Sequence, residues 1–252
     1  MVFGSVGKAF SDIIRKPVIL LPMLIVTLAA NILIFFTSWV LERPLTDIFL
    51  YYDSFAGADL LQVAIMNYPL EIATMILTGI VVAVITVVAL LSIARVVKGD
   101  SFMEAVNDSV REWKKSLALV IFLLVVGVII FAIVNVVSYA SALNEWLGLI
   151  AMIIFGIILL IAAVKLVFFI PALVKENPKE ALKLSWEFTN DKFWKSLLLI
   201  IIILIVFFIV KYLLGELSAL TDFVADDILM ILSDTITMTF AGLAVSHYFY
   251  SK

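Results

Sequence analysis

The sequence predicts an all-α integral membrane protein built as a six-helix bundle. Its 252 residues are 65% hydrophobic and 15% charged, with a mean hydropathy of +1.22. Soluble domains are about 45–50% apolar and about 25% charged, so this much apolar surface requires lipid as its solvent. Six long apolar runs and a biased placement of basic residues support the same fold class. No connecting segment is long enough to bury a core of its own, so we expect one polytopic domain over residues 1–252.

The six apolar runs define the predicted spans. A bilayer core about 30 Å thick is crossed by roughly 20 helical residues, and the runs have about that length or more. Charged residues or turn-forming residues flank each run. In chain order, the predicted spans are Pro17–Leu41, Leu70–Val97, Ser116–Ala140, Trp146–Val174, Ser196–Leu214 and Ile228–Tyr250.

Basic residues decide the predicted orientation, because lysine and arginine are retained on the cytoplasmic face of a membrane. Of the 17 basic residues, Lys165 and Lys211 fall within spans, Arg43 falls on one side, and all the others fall on the opposite side. We therefore expect a multi-pass protein of the cytoplasmic membrane with both termini in the cytoplasm. A cleaved signal peptide is the alternative for the basic N-terminus, but the run ending at Leu41 is longer than a signal core.

The segment before each odd-numbered span has the pattern of a short amphipathic helix on the cytoplasmic surface. The three segments can be aligned on Lys8-Ala9-Phe10, Glu104-Ala105-Val106 and Glu180-Ala181-Leu182. This alignment divides the chain into pseudo-repeats of about 1–98, 99–176 and 177–252, each a surface helix followed by a two-span hairpin. Convergence is the alternative, since a chain entering a membrane from its basic side often begins with an amphipathic helix.

Helix-start signals mark two of these segments. Ser101 and Glu104 have the spacing of a capping box, in which each side chain binds a free backbone amide. Asn177 is suited to cap the third segment, and Pro178 suits the first helical position.

Polar residues within spans are the candidates for function, because a charge in hydrocarbon costs several kcal/mol unless it is paired or hydrated. Asp234 lies about six residues into the last span, roughly 9 Å below the outer boundary. The polar residues within spans predict either a pathway for an ion, proton or polar solute, or hydrogen bonds between helices. The candidate polar-interior residues are Asp234, Thr235, Thr237, Thr239, Lys211, Asn135 and Asn31.

The two lysines within spans each have two interpretations. Lys211 lies near the level of Asp234 and either pairs with it or extends to the membrane surface. Lys165 is either a functional charge within its span or a side chain that reaches the inner surface, which lies within about 9 Å of it.

Aromatic and basic residues at the cytoplasmic side predict contact with anionic lipid headgroups. These candidate lipid-interface residues are Trp113, Lys114, Lys115, Trp186, Lys192, Trp194 and Lys195. We expect the lipid bilayer as partner, with anionic lipids and a second copy of the chain as further candidates, and no nucleic acid. The same basic residues also satisfy the orientation rule alone.

Enzymatic and metal-binding patterns are missing. The chain has no cysteine and a single histidine, His247, so no multi-histidine or thiolate metal site is expected. It has no glycine-rich phosphate loop and no nucleophile elbow. We therefore predict no cofactor, no metal and no enzymatic activity. The leading functional hypothesis is a transport or channel-like component, and the alternative is a membrane scaffold or lipid-interacting protein that acts through its surface helices.

The stretch Phe168-Phe169-Ile170-Pro171-Ala172-Leu173, followed by Glu180-Ala181-Leu182 and Ser185-Trp186, resembles a known group of polytopic proteins. It is similar to the membrane domain of glycerophosphoryl diester phosphodiesterases and its stand-alone prokaryotic relatives. The resemblance implies a proline near the inner end of a span, followed by an amphipathic helix. The catalytic phosphodiesterase domain has no counterpart in the sequence, so the resemblance does not imply that activity.

Overall fold

The computed structural model describes residues 2–40, 69–218 and 223–251, and these residues form helices with short connections and no strand. Arg43 lies outside the described residues. The elements are α1 (Val2–Arg15), a 3₁₀ turn (Pro17–Leu20), α2 (Leu21–Val40), α3 (Pro69–Lys98), α4 (Phe102–Arg111), α5 (Trp113–Leu143), α6 (Glu145–Leu166), α7 (Phe169–Leu173), α8 (Pro178–Asn190), α9 (Phe193–Ser218) and α10 (Phe223–Tyr250).

Six described segments are long and apolar enough to cross a membrane, which confirms the predicted number of spans. The predicted end of the first span, Leu41, lies outside the described residues, and the other bounds lie at most three residues from the predicted ones. The segments are Pro17–Thr37, Ile72–Lys98, Trp113–Val137, Glu145–Leu173, Phe193–Leu217 and Asp227–Tyr250.

The last span lies at the centre of the bundle. Helix α10 packs against α1, α2, α3 and α9, while α3 also packs against α2, α4 and α5. Within the most apolar window of each span, 44% of the residues are buried in the sixth and only 6% in the fifth. The span with the lowest mean hydropathy is therefore the one most enclosed by protein, while the fifth presents its apolar side chains to the surroundings.

The two core helices approach each other closely at Gly242. A Cβ atom added to Gly242 of α10 would lie 3.0 Å from Leu90 Cδ2 and 3.5 Å from Ile93 Cγ2, both on α3. At these distances a Cβ atom would require the Leu90 side chain to shift by a few tenths of an ångström. Glycine at this position therefore allows α10 and α3 to pack closely.

Aromatic side chains close one end of the bundle. Phe168 is fully buried, and its ring lies 4.8 Å from that of Phe188 on α8 and 5.6 Å from that of Tyr248 on α10. The hydroxyl of Tyr250 donates a hydrogen bond of 2.8 Å to the carbonyl oxygen of Pro171 on α7. Helices α1, α4, α7 and α8 and the last turn of α10 lie at this end, which we call the basic end.

Proline accounts for the interruption of the fourth span. Pro171 has no backbone N–H, so it cannot donate to the carbonyl of Val167 as a helix would require. Helix α6 ends at Leu166, and α7 begins three residues later. The interruption changes the course of the chain before α8 begins.

The predicted caps of α4 and α8 are confirmed. The Ser101 side chain accepts a hydrogen bond from the Glu104 backbone, and the Glu104 carboxylate accepts one from the Ser101 backbone. These bonds to Ser101 lower the pKa of the Glu104 carboxyl group. Asn177 Oδ1 accepts from the backbone N–H of Glu180 at 3.1 Å, and Pro178 occupies the first turn of α8. The local sequence therefore sets where both helices begin.

Candidate functional site

The three helices α1, α4 and α8 pack through small side chains. Ala9, Ala105 and Ala181, the alanines on which the three segments align, are all fully buried. Ser109 and Ser185 follow one turn later on α4 and α8 and are also fully buried. Because alanine and serine extend little beyond Cβ, the backbones of these helices can lie close to the spans they contact.

A histidine and an aspartate join α1 to the end of the last span. His247 Nε2 lies 2.6 Å from Asp12 Oδ2, and both side chains are partly buried. These residues are separated by 235 positions in the chain. The contact therefore joins α1, the first described helix of the chain, to α10, the last.

An arginine cluster joins α4 to the end of the second span. The buried Arg95 guanidinium lies 2.6 Å from Glu112 Oε2, 3.6 Å from Asp108 Oδ2 and 3.9 Å from Asp100 Oδ2. Lys115 lies 3.2 Å from the same Glu112 oxygen. From the sequence, Arg95 indicated only orientation, and Lys115 was a candidate for contact with lipid headgroups. The acidic residues at positions 100, 108 and 112, on a side otherwise rich in lysine, were the signal that could have revealed the cluster.

A lysine joins α8 to the fourth span. Lys165 Nζ donates to the Asn190 side chain, and it lies 5.2 Å from the centre of the Trp186 ring. The Ser185 hydroxyl donates to the Lys165 carbonyl oxygen at 2.7 Å. Lys165 is buried beneath α8, so its side chain ends on protein rather than extending freely to the membrane surface as predicted.

These three polar connections, which we call the basal contacts, follow one order. Helix α1 is joined to the sixth span, α4 to the second and α8 to the fourth. In each case the helix precedes an odd-numbered span and contacts the even-numbered span before it, if the sixth span is counted as preceding the first. The basal contacts thus follow a cyclic arrangement around the bundle.

The predicted polar-interior residues are brought together only in part. Lys211 Nζ on α9 lies 2.5 Å from Asp234 Oδ1 on α10, so the two form an ion pair. Both side chains remain more than a third exposed. Of the two interpretations of Lys211, the structure shows the ion pair.

The threonines of α10 face its helix neighbours. Thr235 and Thr239 are fully buried or nearly so, and Thr235 Oγ1 lies 2.9 Å from Thr27 Oγ1 on α2. Thr237 is also buried, and its hydroxyl donates to the carbonyl oxygen of Ser233 in the same helix. The hydroxyl pair links the first span to the sixth.

Neither asparagine makes the interhelical bond expected from the sequence. Asn31 donates to the Thr27 carbonyl oxygen and Asn135 to the Phe131 carbonyl oxygen, each within its own helix at 2.8 Å. Each amide nitrogen therefore donates within its own helix.

An apolar cleft of about 610 Å³ lies between α3 and α5. Ala83, Val87 and Leu90 of α3 form one wall, and residues of α5 from Leu119 to Phe131 form the other. Thr86 also lines the cleft, but its hydroxyl donates to the Val82 carbonyl oxygen at 2.8 Å. The walls therefore present hydrocarbon and no unsatisfied hydroxyl group from Thr86.

The candidate lipid-interface residues divide into exposed and paired groups. Trp113 and Trp186 are each 48% exposed and Trp194 is 77% exposed. Lys114 and Lys195 are exposed as well. The remaining two make contacts: Lys115 pairs with Glu112, and Lys192 Nζ lies 4.1 Å from the centre of the Phe188 ring.

Comparison with known proteins gives one match. Residues 140–250 match the family model described as the membrane domain of glycerophosphoryl diester phosphodiesterase. This part of the chain is therefore similar to that membrane domain. The match confirms the resemblance seen in the stretch from Phe168 to Trp186. No curated protein and no solved structure was found to match the chain.

The matched residues contain the fourth, fifth and sixth spans. They include both partners of the Lys165 contact and of the ion pair between Lys211 and Asp234. The contact of Asp12 with His247 instead joins a helix outside the matched residues to the end of the matched segment. In the described part of the chain, no group of three or more His, Asp or Glu side chains is arranged to hold a metal ion.

Proposed function

We propose that the protein is a non-enzymatic, multi-pass membrane protein that binds anionic lipids at its basic end. The observation that carries the proposal is the exposure of Trp113, Trp186 and Trp194 beside exposed lysines at that end. Tryptophan is enriched at the level of lipid headgroups, and each nearby lysine or arginine contributes about 1 kcal/mol of attraction to an anionic leaflet. The rings and lysines together therefore favour anionic headgroups.

The arrangement of the chain supports this function. In our proposal, α1, α4 and α8 are amphipathic helices on the cytoplasmic surface, each introducing a two-span hairpin, and both termini are cytoplasmic. The cyclic order of the basal contacts supports three related units. The buried alanines of these helices and the exposed rings of Trp113 and Trp186 are consistent with one face toward protein and the other toward lipid.

The test is a measurement of lipid selectivity. The protein is reconstituted in vesicles of phosphatidylcholine with phosphatidylglycerol, and spin-labelled forms of each lipid report the association constants at the protein surface. We expect phosphatidylglycerol to be preferred, and we expect alanine at positions 113, 186 and 194 to reduce that preference. Trp146→Ala is the matched control, because Trp146 is 73% exposed at the opposite end of the bundle. Equal association of both lipids with the unmodified protein would contradict the proposal.

Transport is a second candidate, and the ion pair between Lys211 and Asp234 favours it. Charged groups within a span that remain partly exposed require a polar or protein environment in the membrane. A flux assay in proteoliposomes can compare the unmodified protein with Asp234→Asn for monovalent cations and protons. We expect permeability that the substitution changes. The same low permeability as protein-free vesicles in both samples would rule out transport of these ions.

A further inference from the structure

The apolar cleft between α3 and α5 has the dimensions of a ligand site. Its volume of about 610 Å³ lies within the roughly 300–1,000 Å³ typical of small-molecule sites. Its wall on α5 runs from Leu119 to Phe131, which is about 18 Å along the helix axis. A long apolar space suits a hydrocarbon chain lying parallel to the helices.

The cleft is aligned with an aromatic residue at the basic end. Trp113, Val120 and Gly127 follow one another at intervals of seven residues, which places them on nearly the same face of α5. Val120 and Gly127 line the cleft, and Trp113 lies about 10 Å below Val120. If the ring of Trp113 lies at headgroup level, the cleft begins about 9 Å above it and ends about 27 Å above it. Each leaflet contributes about 15 Å of hydrocarbon, so the cleft begins in the leaflet next to Trp113 and continues past the bilayer midplane.

Both walls of the cleft end in lysine at the basic end. Helix α3 ends at Lys98, and Lys114 follows Trp113 at the start of α5. Both lysines are exposed. Their positive charge is complementary to a phosphate group at the level of Trp113, and not to the uncharged end of a fatty chain.

We propose that this cleft is a binding site for one anionic phospholipid, with an acyl chain between α3 and α5 and its phosphate near Lys98 and Lys114. The inference rests on the proposed lipid-binding function and identifies one site for it. The cleft supplies the apolar contact, and the lysines select the headgroup.

The experiment uses phosphatidylglycerol and phosphatidylcholine that carry a photoreactive diazirine in the middle of one acyl chain. After irradiation of the reconstituted protein, mass spectrometry locates the labelled residues. We expect phosphatidylglycerol to label residues 83–90 and 119–131 more than phosphatidylcholine does. Replacing one lysine, as in Lys98→Gln or Lys114→Gln, should lower apparent affinity roughly fivefold. Lys179→Gln, at an exposed lysine on α8, is the matched control and should have no effect.

A pair of glycine substitutions tests the cleft itself. Gly127 lines the cleft, and a Cβ added there meets nothing within 4 Å, so Gly127→Leu should fold while filling the space. Gly156 on α6 has equally open surroundings, so Gly156→Leu is its control. We expect only Gly127→Leu to abolish labelling of the cleft. Thermal unfolding of both variants verifies that they fold.

The outcomes separate this inference from the proposed function. Cleft labelling that Gly127→Leu leaves unchanged would overturn the site. Equal labelling by both lipids would overturn the anionic ligand. If the spin-labelled lipids still show selectivity, the proposed function stands while the cleft site fails; if selectivity is also lost, both fail.

Discussion

Replacing Asp234 with asparagine should destabilise the protein, because it leaves the Lys211 ammonium group without a carboxylate inside a span. Breaking a fully buried ion pair costs about 3–5 kcal/mol, whereas an exposed pair contributes about 0.2–1 kcal/mol. The Lys211 and Asp234 side chains are 37% and 39% exposed, and their charged atoms are 2.5 Å apart. We therefore expect Asp234→Asn to lower the free energy of unfolding by about 1–2 kcal/mol.

The assay is equilibrium unfolding in mixed micelles by titration with sodium dodecyl sulfate, followed by circular dichroism. A double-mutant cycle with Asp234→Asn and Lys211→Met isolates the coupling energy. We expect the double variant to recover most of the stability lost by Asp234→Asn, because it no longer carries an unpaired charge.

An exposed pair provides the control for this cycle. Lys183 Nζ and Glu187 Oε1 on α8 are 3.7 Å apart, and their side chains are 76% and 59% exposed. Such a pair should show coupling of at most about 0.5 kcal/mol. A coupling energy between Lys211 and Asp234 no larger than this control would refute the reasoning that their position in a span strengthens the pair.

Two further predictions concern packing and the first basal contact. Gly242→Leu should destabilise the protein by about 1–3 kcal/mol because it forces α10 away from Leu90, whereas Gly79→Leu, in open surroundings, should be tolerated in the same unfolding assay. His247→Ala removes the partner of Asp12, so the amides of α1 should exchange hydrogen faster while those of α8 keep their rates; unchanged exchange in α1 would show that the contact does not hold the helix.

Much of the fold could be predicted because its determinants are local. The span from Asp227 to Tyr250 needed only the length of an apolar run, and the start of α4 needed only the spacing of Ser101 and Glu104. Both signals lie within a few turns of the chain. Neither depends on which helices are neighbours in space.

The basal contacts could not be predicted, because they depend on tertiary neighbours. Asp12 and His247 lie at opposite ends of the sequence, so no spacing relates them. Lys165 lies close enough to the inner face to reach water, and only the course of the chain after Pro171 places α8 over it. Sequence alone also left two interpretations for Lys211. Whether it pairs with Asp234 or extends to the membrane surface depends on which face of α10 carries Asp234.

The contact between Asp12 and His247 has a consequence for biosynthesis. The 235 residues that separate them are added at about 5–20 residues per second, so the aspartate waits roughly 12 to 47 s for its partner to be synthesised. During this interval the face of α1 that carries small and apolar side chains is not covered by protein. The helix can then lie on the nearby membrane surface. The N-terminal helix can therefore reach its final position only after the last span has been inserted, which makes its docking a late step in assembly.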